Sequence, residues 1–106
     1  MAKKKTIRTI PQERTPMREQ PADVRVKNFA EVACGFSMED ALRESERCLL
    51  CPEQPCVEGC PVGIDIPGFI QKISQKDFRG AYDVLTDTNL LPAICGRVCP
   101  QENQCE

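Results

Sequence analysis

Residues 48–61 read Cys48-Leu-Leu-Cys51-Pro-Glu-Gln-Pro-Cys56-Val-Glu-Gly-Cys60-Pro61, which is the spacing C-x2-C-x4-C-x3-C-P. Four thiols are crowded into one short run, and Pro52, Pro55 and Pro61 with Gly59 and Gly63 break it repeatedly. A segment so rich in proline and glycine reads as loop over 48–63. Close spacing lets one such loop present several sulfurs toward a common centre. The proline after Cys60 stiffens the exit and steers the chain away.

Bacterial ferredoxins hold cubane iron–sulfur clusters with C-x2-C-x2-C-x3-C-P, and their fourth cysteine serves a second cluster. The run at 48–61 keeps this grammar with a second gap longer by two residues. Farther on, Cys95-Gly-Arg-Val-Cys99-Pro100 repeats the C-x3-C-P of Cys56–Pro61, and Cys105 follows. Two matching loops of this kind suggest a pair that face each other. A four-cysteine structural zinc site is the main rival, because zinc also takes C-x2-C pairs. Zinc sites more often use two separated knuckles, whereas here one crowded run is joined by a distant set of three. A disulfide framework is the third reading for an even cysteine count in a short chain. Cys34 stands apart, at helical spacing among apolar residues, and reads as a small buried hydrophobe.

Outward from the cysteines the pattern is helical. Residues 1–21 carry Pro11, Pro16 and Pro21 among charged and polar residues, an extended or disordered lead-in ahead of a domain over 22–106. From Ala22 the spacing of Phe29, Val32, Ala33 and Phe36 predicts a helix ended by Gly35. Ser37 with Asp40 predicts the cap of a second, with Met38, Ala41, Leu42, Ser45 and Leu49 on one face and Cys48 at its end. A third is expected to start near Asp65 with Pro67 in its first turn, burying Ile66, Phe69, Ile70 and Ile73. Asp77 caps a fourth bearing Phe78, Ala81, Tyr82 and Leu85. Leu90–Cys95 forms a last short turn before the second cysteine loop. No segment alternates as a strand, so the fold class is all-α.

Composition narrows the function. The chain has 106 residues, nine prolines, one tyrosine and no tryptophan, so the apolar core is expected to be modest and the eight cysteines to help hold the fold. There is no histidine, which removes Ser/His/Asp and Cys/His catalysis and any histidine-ligated zinc. A formal charge of −2 with no basic stripe speaks against nucleic acid, and Lys3-Lys4-Lys5 reads as solvated tail. Residues 1–8 lack the apolar stretch of a signal peptide, and no run suits a membrane span, so a cytoplasmic protein is expected. Arg97 and the glycines Gly59, Gly63 and Gly96 stand within or beside the cysteine loops. Each reads either as part of the cluster surroundings or as ordinary turn and surface.

Three further stretches carry a family resemblance. Arg-Thr-Pro-Met-Arg-Glu-Gln-Pro at 14–21, Arg-Val-Lys-Asn-Phe-Ala-Glu-Val-Ala at 25–33 and Glu-Arg-Cys-Leu-Leu-Cys at 46–51 resemble the N-terminal domain of NADPH-dependent glutamate synthase small subunits. Cys-Pro-Val-Gly-Ile-Asp-Ile-Pro-Gly-Phe-Ile at 60–70 and Ile-Cys-Gly-Arg-Val-Cys-Pro-Gln-Glu at 94–102 extend the likeness. Related domains occur in dihydropyrimidine dehydrogenase and NADPH-linked ferredoxin oxidoreductases. The resemblance implies an α-helical ferredoxin-like domain with two cysteine-rich loops and two [4Fe–4S] clusters. It places Cys48, Cys51 and Cys56 on one cluster and Cys60, Cys99 and Cys105 on the other, with Cys95 and Cys34 outside the ligand set.

In that family a further cysteine and a carboxylate or amide complete the two clusters beyond the position of Glu106. FAD- and NADPH-binding domains follow, and no G-x-G-x-x-G appears in this sequence. The expectation is therefore one part of an NADPH-dependent oxidoreductase without an active site of its own. Its partners would be those flavin/NADPH domains and a large glutamate synthase subunit or another redox partner. A zinc-stabilised interaction module is the alternative.

Overall fold

Helix starts follow the local chemistry of single side chains. In the computed structural model, which describes residues 9–106, Pro21 opens α1 (Ala22–Arg25) and Ser37 opens α2 (Met38–Ser45). The Asp40 N–H donates to Ser37 Oγ at 3.1 Å, and the Ser37 N–H donates to Asp40 Oδ2 at 3.2 Å, so the predicted capping box is complete. Two proline-led helices, α3 (Pro55–Gly59) and α4 (Ile66–Ser74), come next. Then follow α5 (Phe78–Thr88), α6 (Pro92–Val98) and a 3₁₀ turn at Gln101–Asn103. Asp65 and Asp77 cap α4 and α5 by accepting the N–H of Gly68 at 3.0 Å and of Gly80 at 2.9 Å. The fold is all-α; the described residues contain no strand, only an isolated antiparallel bridge between Glu19 and Ala33. Residues 1–8, with Lys3-Lys4-Lys5 and the start of the expected lead-in, lie outside the described residues.

The chain divides between Arg47 and Cys48 into two compact units. In the first, the predicted helix through Phe29–Phe36 does not form. α1 stops at Arg25, because Asn28 offers its neighbours other partners. Its Nδ2 donates to the Val24 carbonyl at 3.1 Å and to Gln20 Oε1 at 2.9 Å, and its Oδ1 accepts the Ala30 N–H at 2.8 Å. Residues 32–34 instead run antiparallel to 18–20. The Gln20 N–H donates to the Val32 carbonyl at 2.9 Å and the Cys34 N–H to the Arg18 carbonyl at 2.7 Å. Phe29 is fully exposed, and Gly35, at φ 71°, turns the chain toward Ser37 rather than ending a helix. Thr15 is buried, its N–H donating to Glu44 Oε2 at 2.8 Å, and Glu44 also pairs with Arg47. On α2, Ala41 and Leu42 are half-buried and Ser45 buried, while Met38 is exposed.

In the second unit α4 and α5 pack as a hairpin. Ile66, Phe69, Ile70 and Ile73 are half-buried as expected. On α5 the buried residue is Ala81, flanked by half-buried Val84 and Leu85, while Phe78 and Tyr82 are exposed. Ala81 and Pro67 are the buried apolar residues among those described, so apolar burial is indeed modest. The turn between the helices closes as a Schellman motif. The Lys76 N–H donates to the Ile73 carbonyl at 2.8 Å, and the Asp77 N–H to the Lys72 carbonyl at 2.9 Å. Lys76 occupies its left-handed position at φ 62°, where a side chain is strained. Lys76→Gly is accordingly expected to stabilise the unit by about 1 kcal/mol, read as a higher urea midpoint at unchanged slope.

The cap carboxylates also set a pH dependence. The hydroxyl and the backbone N–H of Ser37, with Arg18 nearby, hold the Asp40 carboxyl below its ordinary value. The Gly80 N–H, with Lys72 at 3.4 Å, does the same for Asp77. A depressed folded value means that their stabilisation is present above the ordinary carboxylate range and is lost as pH falls through the lowered one.

Candidate metal centre

The first cysteine loop is built from sharp reversals. Leu50 at φ 54° and Gln54 at φ 47° are both left-handed without being glycine, a conformation that costs about 1–3 kcal/mol each and collects at functional loops. The Gln54 N–H closes a turn on the Cys51 carbonyl at 3.3 Å, so Pro52–Gln54 fold back between Cys51 and Cys56. Pro55 then starts α3, a single helical turn inside a stretch whose prolines predicted loop throughout. It carries Cys56, and Cys60 caps its C-terminus. The Gly63 N–H donates to the Cys60 carbonyl at 3.0 Å, and Gly63, at φ 68°, bends the chain around the sulfur. Burial presses the Cys60 thiol up, but the N–H groups of Ile64, Val62 and Gly63 outweigh it and hold the thiol below its usual value.

The second loop begins on α6, which runs farther than the predicted short turn and includes Cys95. Cys95 Sγ lies 3.7 Å from Asn89 Oδ1, a buried amide whose oxygen also accepts the Leu91 N–H at 3.0 Å. Cys99 ends α6, and its Sγ lies 3.3 Å from Gln104 Oε1. Arg97 turns back on its own helix and donates to the Ala93 carbonyl at 2.8 Å.

The two loops meet at Gly59 and Gln104. A β-carbon on Gly59 would stand 2.5 Å from the Gln104 carbonyl oxygen, 3.2 Å from its carbon and 3.3 Å from Cys105 Cα. Only glycine admits this approach, a role that no sequence pattern had singled out. Around Gly96, by contrast, a β-carbon meets open space. The meeting sets the Cys105 backbone against the turn between Cys56 and Cys60. Burial raises the Cys105 thiol above its ordinary value, and the charges of Cys60, Cys99 and Cys56 raise it further. Of the six expected ligands, Cys56, Cys60, Cys99 and Cys105 therefore share one electrostatic neighbourhood. Cys48 and Cys51 stand on the same first loop, outside the group that acts on Cys105. Cys34 corrects an expectation: it is exposed and follows an extended segment, not a buried helix face, because the helix that would have buried it does not form.

The donor set suits an iron–sulfur cluster. All eight cysteines are free thiols, and the seven from Cys48 to Cys105 are half-buried, screened in part from solvent yet reachable. The amides of Ile64, Val62 and Gly63 favour the Cys60 thiolate, as amide groups do where a protein stabilises ligating sulfurs. Among the described residues no three cysteine, aspartate or glutamate side chains are gathered to hold a single metal ion. Nor is any helix there long and apolar enough to cross a membrane.

Comparison with known proteins agrees with this chemistry. Residues 25–106 match the family model described as dihydropyrimidine dehydrogenase domain II, 4Fe-4S cluster. A glutamate synthase [NADPH] small chain from Halomonas elongata is 40% identical over 88 residues, covering 83% of this chain and 19% of that protein. An NAD-dependent dihydropyrimidine dehydrogenase subunit PreT homolog from Salmonella typhi is 41% identical over 76 residues, 72% of this chain and 18% of the relative. The putative oxidoreductase UacF of Escherichia coli K12 is 38% identical over 86 residues, 80% of this chain and 14% of that protein. The chain spans about a fifth, or less, of the length of these relatives. With its helical fold, its paired cysteine loops and a match over most of its length, the chain belongs to the 4Fe-4S domain family typified by dihydropyrimidine dehydrogenase domain II.

Proposed function

We propose that this chain is part of an electron-transfer module for two [4Fe–4S] clusters and supplies three ligands to each, Cys48, Cys51 and Cys56 to one and Cys60, Cys99 and Cys105 to the other. The observation that carries the reading is the approach of two loops with matching C-x3-C-P motifs at Gly59 and Gln104, which sets the Cys105 backbone against the turn between Cys56 and Cys60. Cys56 lies on α3 and Cys60 caps its C-terminus, so a ligand of each cluster is tied to the same short element. That keeps the two centres adjacent, as passing an electron between them requires. The clusters supply the redox chemistry. The protein's own residues hold the sulfurs, direct N–H groups at them and limit water.

In a protein of the relatives' length, electrons would enter from NADPH through FAD in separate domains. They would leave toward a larger glutamate synthase subunit or another redox partner. The relatives, a glutamate synthase [NADPH] small chain and an NAD-dependent dihydropyrimidine dehydrogenase subunit, support a nicotinamide nucleotide as the electron source. Eight free thiols suit the reducing cytoplasm.

Anaerobic incubation with ferrous iron and sulfide tests the reading. The chain is expected to turn brown and to retain iron and acid-labile sulfide in equal amounts. Stoichiometric zinc uptake with no retained sulfide would leave a colourless structural module instead.

A further inference from the structure

We propose that Gln104 is a positioning and tuning residue whose side-chain amide hydrogen-bonds the Cys99 sulfur and raises the reduction potential of the cluster that sulfur serves. The inference rests on the cluster reading above and deepens it. Gln104 leaves the 3₁₀ turn with its own N–H donated to the Gln101 carbonyl at 3.0 Å. Its carbonyl is pressed against Gly59 in the first loop. The backbone is thus clamped on both sides, and the side chain stands with Oε1 3.3 Å from Cys99 Sγ.

In the free chain the Cys99 S–H donates to that oxygen. Ligation removes the thiol proton, and a sulfur without it can only accept. A primary amide meets this change without moving its backbone. Its terminal torsion is broad and roughly two-fold, so a half-turn replaces the oxygen with an NH₂ group. An N–H donated to a ligating sulfur withdraws negative charge from the cluster and favours its more negative, reduced state. The amide beside Cys95 differs, because Asn89 Oδ1 is also committed to the Leu91 N–H and is pinned as an acceptor.

The test uses the reconstituted 106-residue chain and two variants, Gln104→Leu and Gln104→Glu. Neither side chain has an N–H, and position 104 is exposed, so no core contact is lost. Iron and sulfide content are measured first, then midpoint potentials by titration followed in the visible spectrum. Both variants are expected to load as the unmodified chain does and to lower one midpoint. The expected shift is about tenfold in the reduced-to-oxidised ratio at fixed ambient potential, or ~59 mV for a one-electron couple. The Fe–S stretching bands of the unmodified chain should shift in D₂O more than those of the Leu variant. Full loading with unmoved midpoints overturns the proposal and leaves the cluster reading intact. Loss of a whole cluster in both variants also overturns it, since Gln104 would then be a ligand or a structural residue. Failure of the unmodified chain to retain sulfide overturns the cluster reading, and this inference with it.

Discussion

Replacing Gly59 by alanine is expected to separate the two cysteine loops and to strip iron from the reconstituted chain. The added methyl would lie 2.5 Å from the Gln104 carbonyl oxygen and 3.3 Å from Cys105 Cα. Both are backbone atoms and cannot swing aside as a side-chain tip would. The second loop must withdraw, at a cost of about 1–3 kcal/mol for overpacking, and it takes Cys105 away from Cys60 and Cys99. The iron-to-protein ratio should fall well below that of the unmodified chain, while far-UV circular dichroism retains the α4–α5 signal. Gly96→Ala is the control: it meets open space in the middle of α6 and should match or slightly exceed the parent in stability. Undiminished iron in Gly59→Ala would show that contact between the loops is not what assembles the site.

The second large effect separates ligands from bystanders. Cys99→Ser and Cys51→Ser are each expected to remove one cluster and about half the iron, because a serine hydroxyl is a poor soft ligand for iron in a cubane. Double replacement should leave a colourless chain. Cys34→Ser should leave iron content unchanged and barely move the unfolding midpoint, since Cys34 is exposed and surrenders no buried contact. Loss of a cluster in the Cys34 variant would refute the ligand assignment.

What the sequence disclosed was local. Ser37 with Asp40, Asp65 ahead of Ile-Pro-Gly, and Asp77 ahead of Phe78 each announce a helix start, because a cap is satisfied within three residues. The helix expected through Phe29–Phe36 failed for an equally local reason. Its apolar spacing was right, but Asn28 competes for the backbone and the 18–20 segment offers a bridge. The misplacement of Cys34 followed from it. α3 was hidden because one turn is too short to show a period, although Pro55 stands where a proline opens a helix. The fit of Gln104 on Gly59 joins residues far apart in sequence and left no pattern to find. The cysteine motifs named the chemistry, and a contact outside them sets the spacing of the loops.

The α4–α5 hairpin has a consequence for how the site comes together. Its caps and its Schellman turn are short-range, so it is expected to form early and without metal. Its two ends lie side by side, with Gly63 and Asp65 lining the same small depression as Asp87 and Thr88. A chain that had to bring Cys60 and Cys99 together from a random coil would lose the entropy of closing the whole intervening loop, a loss that grows with loop length. Once the hairpin has folded, most of that length is spanned by ordered structure, and only the short flanks remain to be confined. Iron and sulfide then meet thiols already held at high local concentration, and the hairpin serves as the clasp whose closure precedes the cofactor.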